Sequence, residues 1–168
     1  MTRKKVDRID TTYCKEITWL GWYYKRDKAN PKRTQLEQMI ADRVETLESP
    51  YHNTDSNRDI RGGAVSKNSQ AERVLFAKEK DVQLAKYRTI KDTLDHLTAK
   101  TDLSLLIALK EVYVYRNINL TGAAARYMHV AERTAYYHVR AWFEEFSDDI
   151  FNPQHHLKKL QTNRIIRG

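Results

Sequence analysis

Arg133, Tyr136, Tyr137, His138 and Arg140 lie within eight residues in the stretch LTGAAARYMHVAERTAYYHVRAWFEEF, positions 120–146. These side chains suit hydrogen bonding to base edges and phosphates, and a helix that exposes Arg, His and Tyr near its N-terminal end suits the major groove of DNA. The residues ahead of them supply the support such a helix needs. Ala123, Ala124 and Ala125 permit close helix approach, and His129-Val130-Ala131 makes a tight connection. The pattern predicts a helix-turn-helix over 121–147.

The inward set is expected to be Ala124 and Ala125 against the second helix, Met128 and Val130 in the turn, and Ala135, Val139, Phe143 and Phe146 facing back. Ala131 stands at the cap of the second helix, where Ser or Thr is commoner, and Glu132 compensates through the helix dipole. The expected DNA-facing set is Thr121, Arg126, Glu132, Arg133, Thr134, Tyr136, Tyr137, His138 and Arg140. Arg133 occupies the first turn, where bases are reached, and Arg126 and Arg140 sit where backbone contacts occur. Adjacent tyrosines cannot both face one core on a helix, so at least one of Tyr136 and Tyr137 points out. Plain packing of two antiparallel helices is the bland alternative.

The elements that must position this unit are helical. Five glycines and three prolines in 168 residues are few for a many-stranded β fold. Ile9, Tyr13, Ile17, Leu20 and Tyr24 recur at helical spacing over 7–27, and Trp19, Trp22 and Tyr23 widen their face. So aromatic a face is expected to pack on another helix or another subunit. Asn30-Pro31 breaks this helix, and a second runs from about Thr34 to Glu48, with Leu36, Met39, Ile40, Val44 and Leu47 on one side. A long helix over 70–98 follows, with Ser69 and Glu72 as a capping box. Asp102 or Thr101 caps a further helix over 103–117, with Leu103, Leu106, Ile107, Leu109 and Val114 as its buried stripe. The fold class is all-α: an N-terminal helical hairpin (1–49), a Gly/Asn/Arg loop or linker (50–69), a long helix with the DNA-binding helix-turn-helix (70–151), and a basic tail (152–168).

Charge is concentrated at the ends. Residues 1–33 hold ten Lys/Arg and four Asp/Glu, residues 34–99 ten and eleven, and residues 100–168 ten and seven. Basic ends give salt-dependent affinity for DNA by releasing its condensed counterions. Within 120–146 the charges cancel, Arg126, Arg133 and Arg140 standing against Glu132, Glu144 and Glu145. The ends and the loop are therefore expected to hold the DNA while Arg133 and the tyrosines choose the sequence. In the loop, adjacent Gly62 and Gly63 allow close backbone approach beside Asn57, Arg58, Arg61 and Lys67, which suits phosphate or a minor groove; a plain hinge fits equally well.

Two motifs give the chain a resemblance to a known family. Thr54-Asp55-Ser56-Asn57, Gly62-Gly63-Ala64-Val65 and Ser66-Lys67-Asn68 follow one another before the long helix, and Val130 to Tyr137 reads V-A-E-R-T-A-Y-Y. Over about 34–150 the chain resembles the RinA family of phage late-gene transcriptional activators, and more distantly the ArpU-type regulators and region 4 of sigma factors. Arg58-Asp59-Ile60-Arg61 makes its loop longer and more charged than the family's. The resemblance implies a sequence-specific activator of phage packaging and structural genes, with promoter DNA and host RNA polymerase as partners. A small terminase subunit is the alternative function, although its DNA-binding unit is usually near the N-terminus.

Other classes find little support. Cys14 is the one cysteine and has no histidine nearby in sequence. His155-His156 point to different faces of a helix and lack a Cys or acid at ligand spacing. No phosphate-binding or hydrolase motif occurs, so no enzyme, metal or cofactor is expected. No long apolar run or signal peptide is found, which predicts a protein in the cytoplasm of a bacterial host, away from membranes, and the aromatic N-terminal face makes a homo-oligomer the expectation.

Overall fold

The computed structural model describes residues 8–49 and 67–152, with side chains for 8–49 and 70–152. The described residues are all-helical, and their one β-type pairing is an isolated bridge between Arg26 and Thr34. The elements are α1 (Arg8–Thr12), α2 (Cys14–Tyr24), α3 (Gln35–Glu48), α4 (Lys67–Lys80), α5 (Val82–Lys100), α6 (Leu103–Leu109), α7 (Leu120–Ala123) and α8 (Glu132–Phe151). α6 runs on into a π turn at Lys110–Val114, and α7 into another at Ala124–Met128.

The expected first helix is present with a kink at Tyr13, which leaves helical geometry at φ −114° and ψ 34°. The chain still bonds through the kink, Tyr13 N donating to Ile9 O and Ile17 N to Tyr13 O, both at 2.9 Å. Thr34 then starts α3 with a reciprocal cap. Its hydroxyl accepts from Glu37 N, and Glu37 returns a carboxylate oxygen to Thr34 N at 2.9 Å. The T-x-x-E signal for this box stood in the sequence.

Between Ser69 and Thr98 the structure differs from the single helix expected. The helix starts at Lys67, so Ser69 lies inside its first turn instead of capping it. It also stops at Lys80, and Asp81 caps a second helix by accepting from Leu84 N at 2.7 Å. The next helix begins as expected, with Asp102 as its cap, accepting from Ser104 N at 3.1 Å. Its buried stripe lies further along than expected. Leu103 is 69% exposed, whereas Ala108, Leu109, Val112, Tyr113 and Val114 are buried. The π turn itself carries Val112, Tyr113 and Val114 into the core, while Tyr115, Arg116 and Asn117 after it are exposed.

One core joins both ends of the described chain. Ile9, Ile17, Trp19, Leu20 and Leu36 pack in the same cluster as Ile90, Leu94, Leu97, Val139, Phe143 and Phe146. The helical hairpin, described from Arg8 to Ser49, thus shares one core with α5 and α8. The aromatic face of α1–α2 packs on another helix: Tyr13 stacks on Phe143 at 5.6 Å between ring centroids, and Trp19 meets Phe146 edge-on at 6.2 Å. Full burial of a large apolar side chain contributes about 1.5–3 kcal/mol, and the half-buried Tyr13 contributes less than Trp19, Phe143 or Phe146. Deleting residues 1–33 would therefore remove part of the core that holds α8. No helix among the described residues is long and apolar enough to cross a membrane.

Candidate nucleic-acid interface

The helix-turn-helix begins one residue earlier than expected. Asn119 caps α7, its side-chain oxygen accepting from Gly122 N at 2.8 Å. Gly122 is required by closeness: a Cβ there would stand 2.8 Å from Ile118 Cγ1 and 2.9 Å from its Cδ1. The π turn ends at His129, which adopts the left-handed conformation at φ 54°. Its N–H and that of Val130 both donate to Ala124 O, the latter at 3.2 Å. Glycine is the usual residue for such a turn, since a Cβ costs roughly 1–2 kcal/mol in this conformation. Arg116, after the first π turn, repeats the device at φ 57°, with Asn117 N donating to Glu111 O at 2.9 Å.

The supporting contacts are close to those the spacing predicts, with one shift. Ala123 and Ala124 are buried and Ala125 is exposed, so the alanine pair facing α8 lies one residue earlier than expected. On α8, Ala135, Val139, Phe143 and Phe146 are buried, joined by Trp142, whose indole N–H donates to Thr101 Oγ1 at 2.9 Å. Ala131 precedes α8 without a side-chain cap, and Glu132 occupies its first turn.

The opposite face of α8 is open. Arg133, Thr134, Tyr137, His138 and Arg140 are exposed there, Glu132 is exposed in the first turn, and Thr121 and Arg126 are exposed on the supporting helix. Tyr136 departs from the expected outward set. It is half-buried and packs against the core, leaving the exposed role to Tyr137. Its ring lies 6.0 Å from that of Tyr137. Arg133 Nη2 donates to the Tyr137 hydroxyl at 3.4 Å, and its guanidinium lies 5.8 Å from that ring's centroid. Arg126 lies 5.7 Å from the Tyr127 ring. Neither Arg133, Arg126 nor Arg140 has an ion pair among the described residues.

Pairing within the fold also shifts the charge balance of this face. Glu145 turns to Lys100, 2.5 Å away, which leaves Glu132 and Glu144 against the three arginines. Loop residues Asn57, Arg58, Arg61, Gly62 and Gly63 lie outside the described residues, as does the tail from Pro153 on. Lys67 is the first residue of α4. No group of three or more His, Cys, Asp or Glu that could hold a metal occurs among the described residues. Comparison with family models, curated proteins and solved structures finds no match for this chain.

Proposed function

We propose that this chain is a sequence-specific double-stranded DNA-binding protein that reads the major groove with the N-terminal turns of α8. One observation carries the reading. α8 buries Ala135, Val139, Phe143 and Phe146 against the core and the supporting helix, while Arg133, Tyr137 and Arg140 stand exposed on its other side. That is the division of labour a reading helix needs, with one face fixed and the other free to enter a groove. Arg133 lies where bidentate pairing with guanine is possible, and Arg140 lies where phosphates run.

The resemblance to the RinA family extends this to activation of phage late genes, with host RNA polymerase and a second copy of the chain as partners. Selection of bound duplexes from random-sequence DNA tests the core of the reading. A single enriched motif is expected. Recovery of unenriched sequence at every salt concentration would reduce α8 to a packing element.

A further inference from the structure

The turn between α2 and α3, Lys25 to Arg33, carries five cations and one carboxylate in nine residues. Its backbone is ordered from within. Asp27 N donates to Arg33 O and Arg33 N to Asn30 O, both at 3.0 Å, and Gln35 N donates to Lys25 O at 2.9 Å. The one acid is used by the turn itself, Asp27 Oδ2 accepting from Ala29 N at 2.9 Å and Asn30 N at 2.7 Å.

The cations are left facing solvent. Lys25, Arg26, Lys28, Lys32 and Arg33 are all exposed, and none forms an ion pair among the described residues. Arg26 Nη1 donates to Lys32 O at 3.3 Å and Arg33 Nη1 to Gln38 Oε1 at 3.4 Å. Both guanidiniums are therefore steadied by neutral acceptors, and their charge stays available to an outside anion. Ala29 and Pro31 are the only apolar side chains in the turn. A protein partner would want aromatic or aliphatic anchors at the centre of the contact, whereas phosphate backbone is bound by charge alone.

Its position relative to α8 follows from the aromatic contacts. Tyr13 stacks on Phe143, and Trp19 lies 6.2 Å from both Phe146 and Phe151, so α2 and α8 run in the same direction. Arg133 precedes Phe143 and Lys25 follows Tyr13. At 1.5 Å per helical residue, the turn stands roughly 30 Å from the reading end of α8.

We infer that the 25–33 turn is a second, sequence-independent binding site for nucleic-acid phosphate, engaging DNA backbone away from the bases at α8. Its chemistry stands alone; its placement rests on the reading of α8 given above. The phosphates come from the flank of the same duplex or from a second duplex.

The test uses the full chain and its Lys25→Gln/Lys28→Gln/Lys32→Gln variant, which keeps both arginine hydrogen bonds. A control, Lys15→Gln/Lys86→Gln/Arg88→Gln, removes equal charge from α2 and α5. Binding to labelled random-sequence duplexes of about one and about three helical turns is measured against salt. The variant is expected to bind the longer duplex on the order of tenfold more weakly, with the log–log salt slope shallower by roughly 2–3, while the control changes less. A loss confined to the longer duplex assigns the phosphates to the flank. An equal loss on both lengths, with two short duplexes bound per wild-type chain, assigns them to a second duplex. Unchanged affinity and slope, or an equal loss in the control, overturns the inference, and so does loss of an acidic protein ligand with DNA binding intact. If Arg133→Ala alters nothing while the lysine variant still weakens binding, the reading of α8 fails and the turn remains.

Discussion

Arg43 forks onto Asp81, Nε donating to Oδ1 at 3.1 Å and Nη2 to Oδ2 at 2.6 Å. The same carboxylate accepts from Leu84 N and so caps α5. One side chain thus interrupts what would otherwise read as a single helix and ties the break to α3. Asp81→Ala should cost about 1 kcal/mol for the lost cap, with a further loss from the stranded Arg43. Denaturant unfolding measures it. A midpoint equal to that of the wild type would mean that Leu84 and Arg43 find other partners.

Gly122 and Ile118 make a second testable contact. A Cβ at 122 would press 2.8 Å from Ile118 Cγ1, well inside van der Waals separation. Gly122→Ala is expected to destabilise by about 1–3 kcal/mol through overpacking. Ile118→Ala in the same chain should recover part of that loss, because it removes the atoms in conflict. Costs that add independently in the double variant would locate the effect in the backbone instead.

His129 holds the turn of the helix-turn-helix at φ 54°. Glycine enters this conformation without a Cβ conflict, so His129→Gly should raise stability by a few tenths to about 1 kcal/mol. A β-branched residue there, as in His129→Val, should lower it. Thermal melts of the two variants should bracket the wild type, and a melt of the glycine variant below the wild type would contradict the strain argument.

These same positions explain what the sequence made legible. Helical periodicity marked α2, α3 and α8, and the inward set Ala135, Val139, Phe143 and Phe146 followed from spacing alone. Asp102 was readable as a cap because its side chain needs only local backbone donors. Asp81 caps through an equally local donor, Leu84 N, but an aspartate inside a continuing helical pattern looks like an exposed helical residue, and the Arg43 that ties the break to α3 lies 38 residues away. The π turns at 110–114 and 124–128 were hidden because one inserted residue has no sequence signature, and neither the burial of Ala123 in place of Ala125 nor the exposure of Leu103 could be read from spacing. Tyr136 and Tyr137 could be seen to point apart, but which of them faced the core depended on that packing. On the basic side, residues 1–33 were visibly cationic. The ordering of 25–33 by Asp27 and the bridge between Arg26 and Thr34 emerge only in the folded chain.

Tyr23, Asp95 and Lys91 link α2 to α5 and should give a pH signature. Tyr23 Oη donates to Asp95 at 2.6 Å and Lys91 Nζ at 2.8 Å. Burial pushes the Asp95 carboxyl up, but these hydrogen bonds prevail together and hold it below its usual value. A depressed carboxylate adds stability that is present above its unfolded value, about 4, and lost as pH falls through the lower folded value. Asp102, lowered chiefly by the Ser104 hydrogen bond, acts in the same direction. The tyrosines act at the other end. Burial raises Tyr23, and pushes Tyr24 up to about 12, so their contribution is lost as pH climbs from about 10 through those values. Melting temperature against pH should therefore fall on both sides, and Asp95→Asn should flatten the acid side. An acid limb parallel to the wild type would remove Asp95 from the account.

Arg133 and Arg140 sit two helical turns apart on the exposed face of α8 and should differ in kind. Arg133 already lies along the helix toward Tyr137, held by a long 3.4 Å hydrogen bond that costs little to exchange for a base edge. Arg133→Ala should lose about 1–3 kcal/mol of discrimination at one base-pair position and leave other positions as selective as before. Arg140→Ala should weaken binding to all sequences alike and lower the salt slope by about 1, as expected for one phosphate contact. Tyr137→Phe removes the hydroxyl that steadies Arg133 and should produce a milder form of the Arg133→Ala pattern. Competition binding against single-base variants of the selected motif separates these outcomes. Uniform losses for Arg133→Ala would place it on phosphate, and base reading would then fall to His138 or Tyr137.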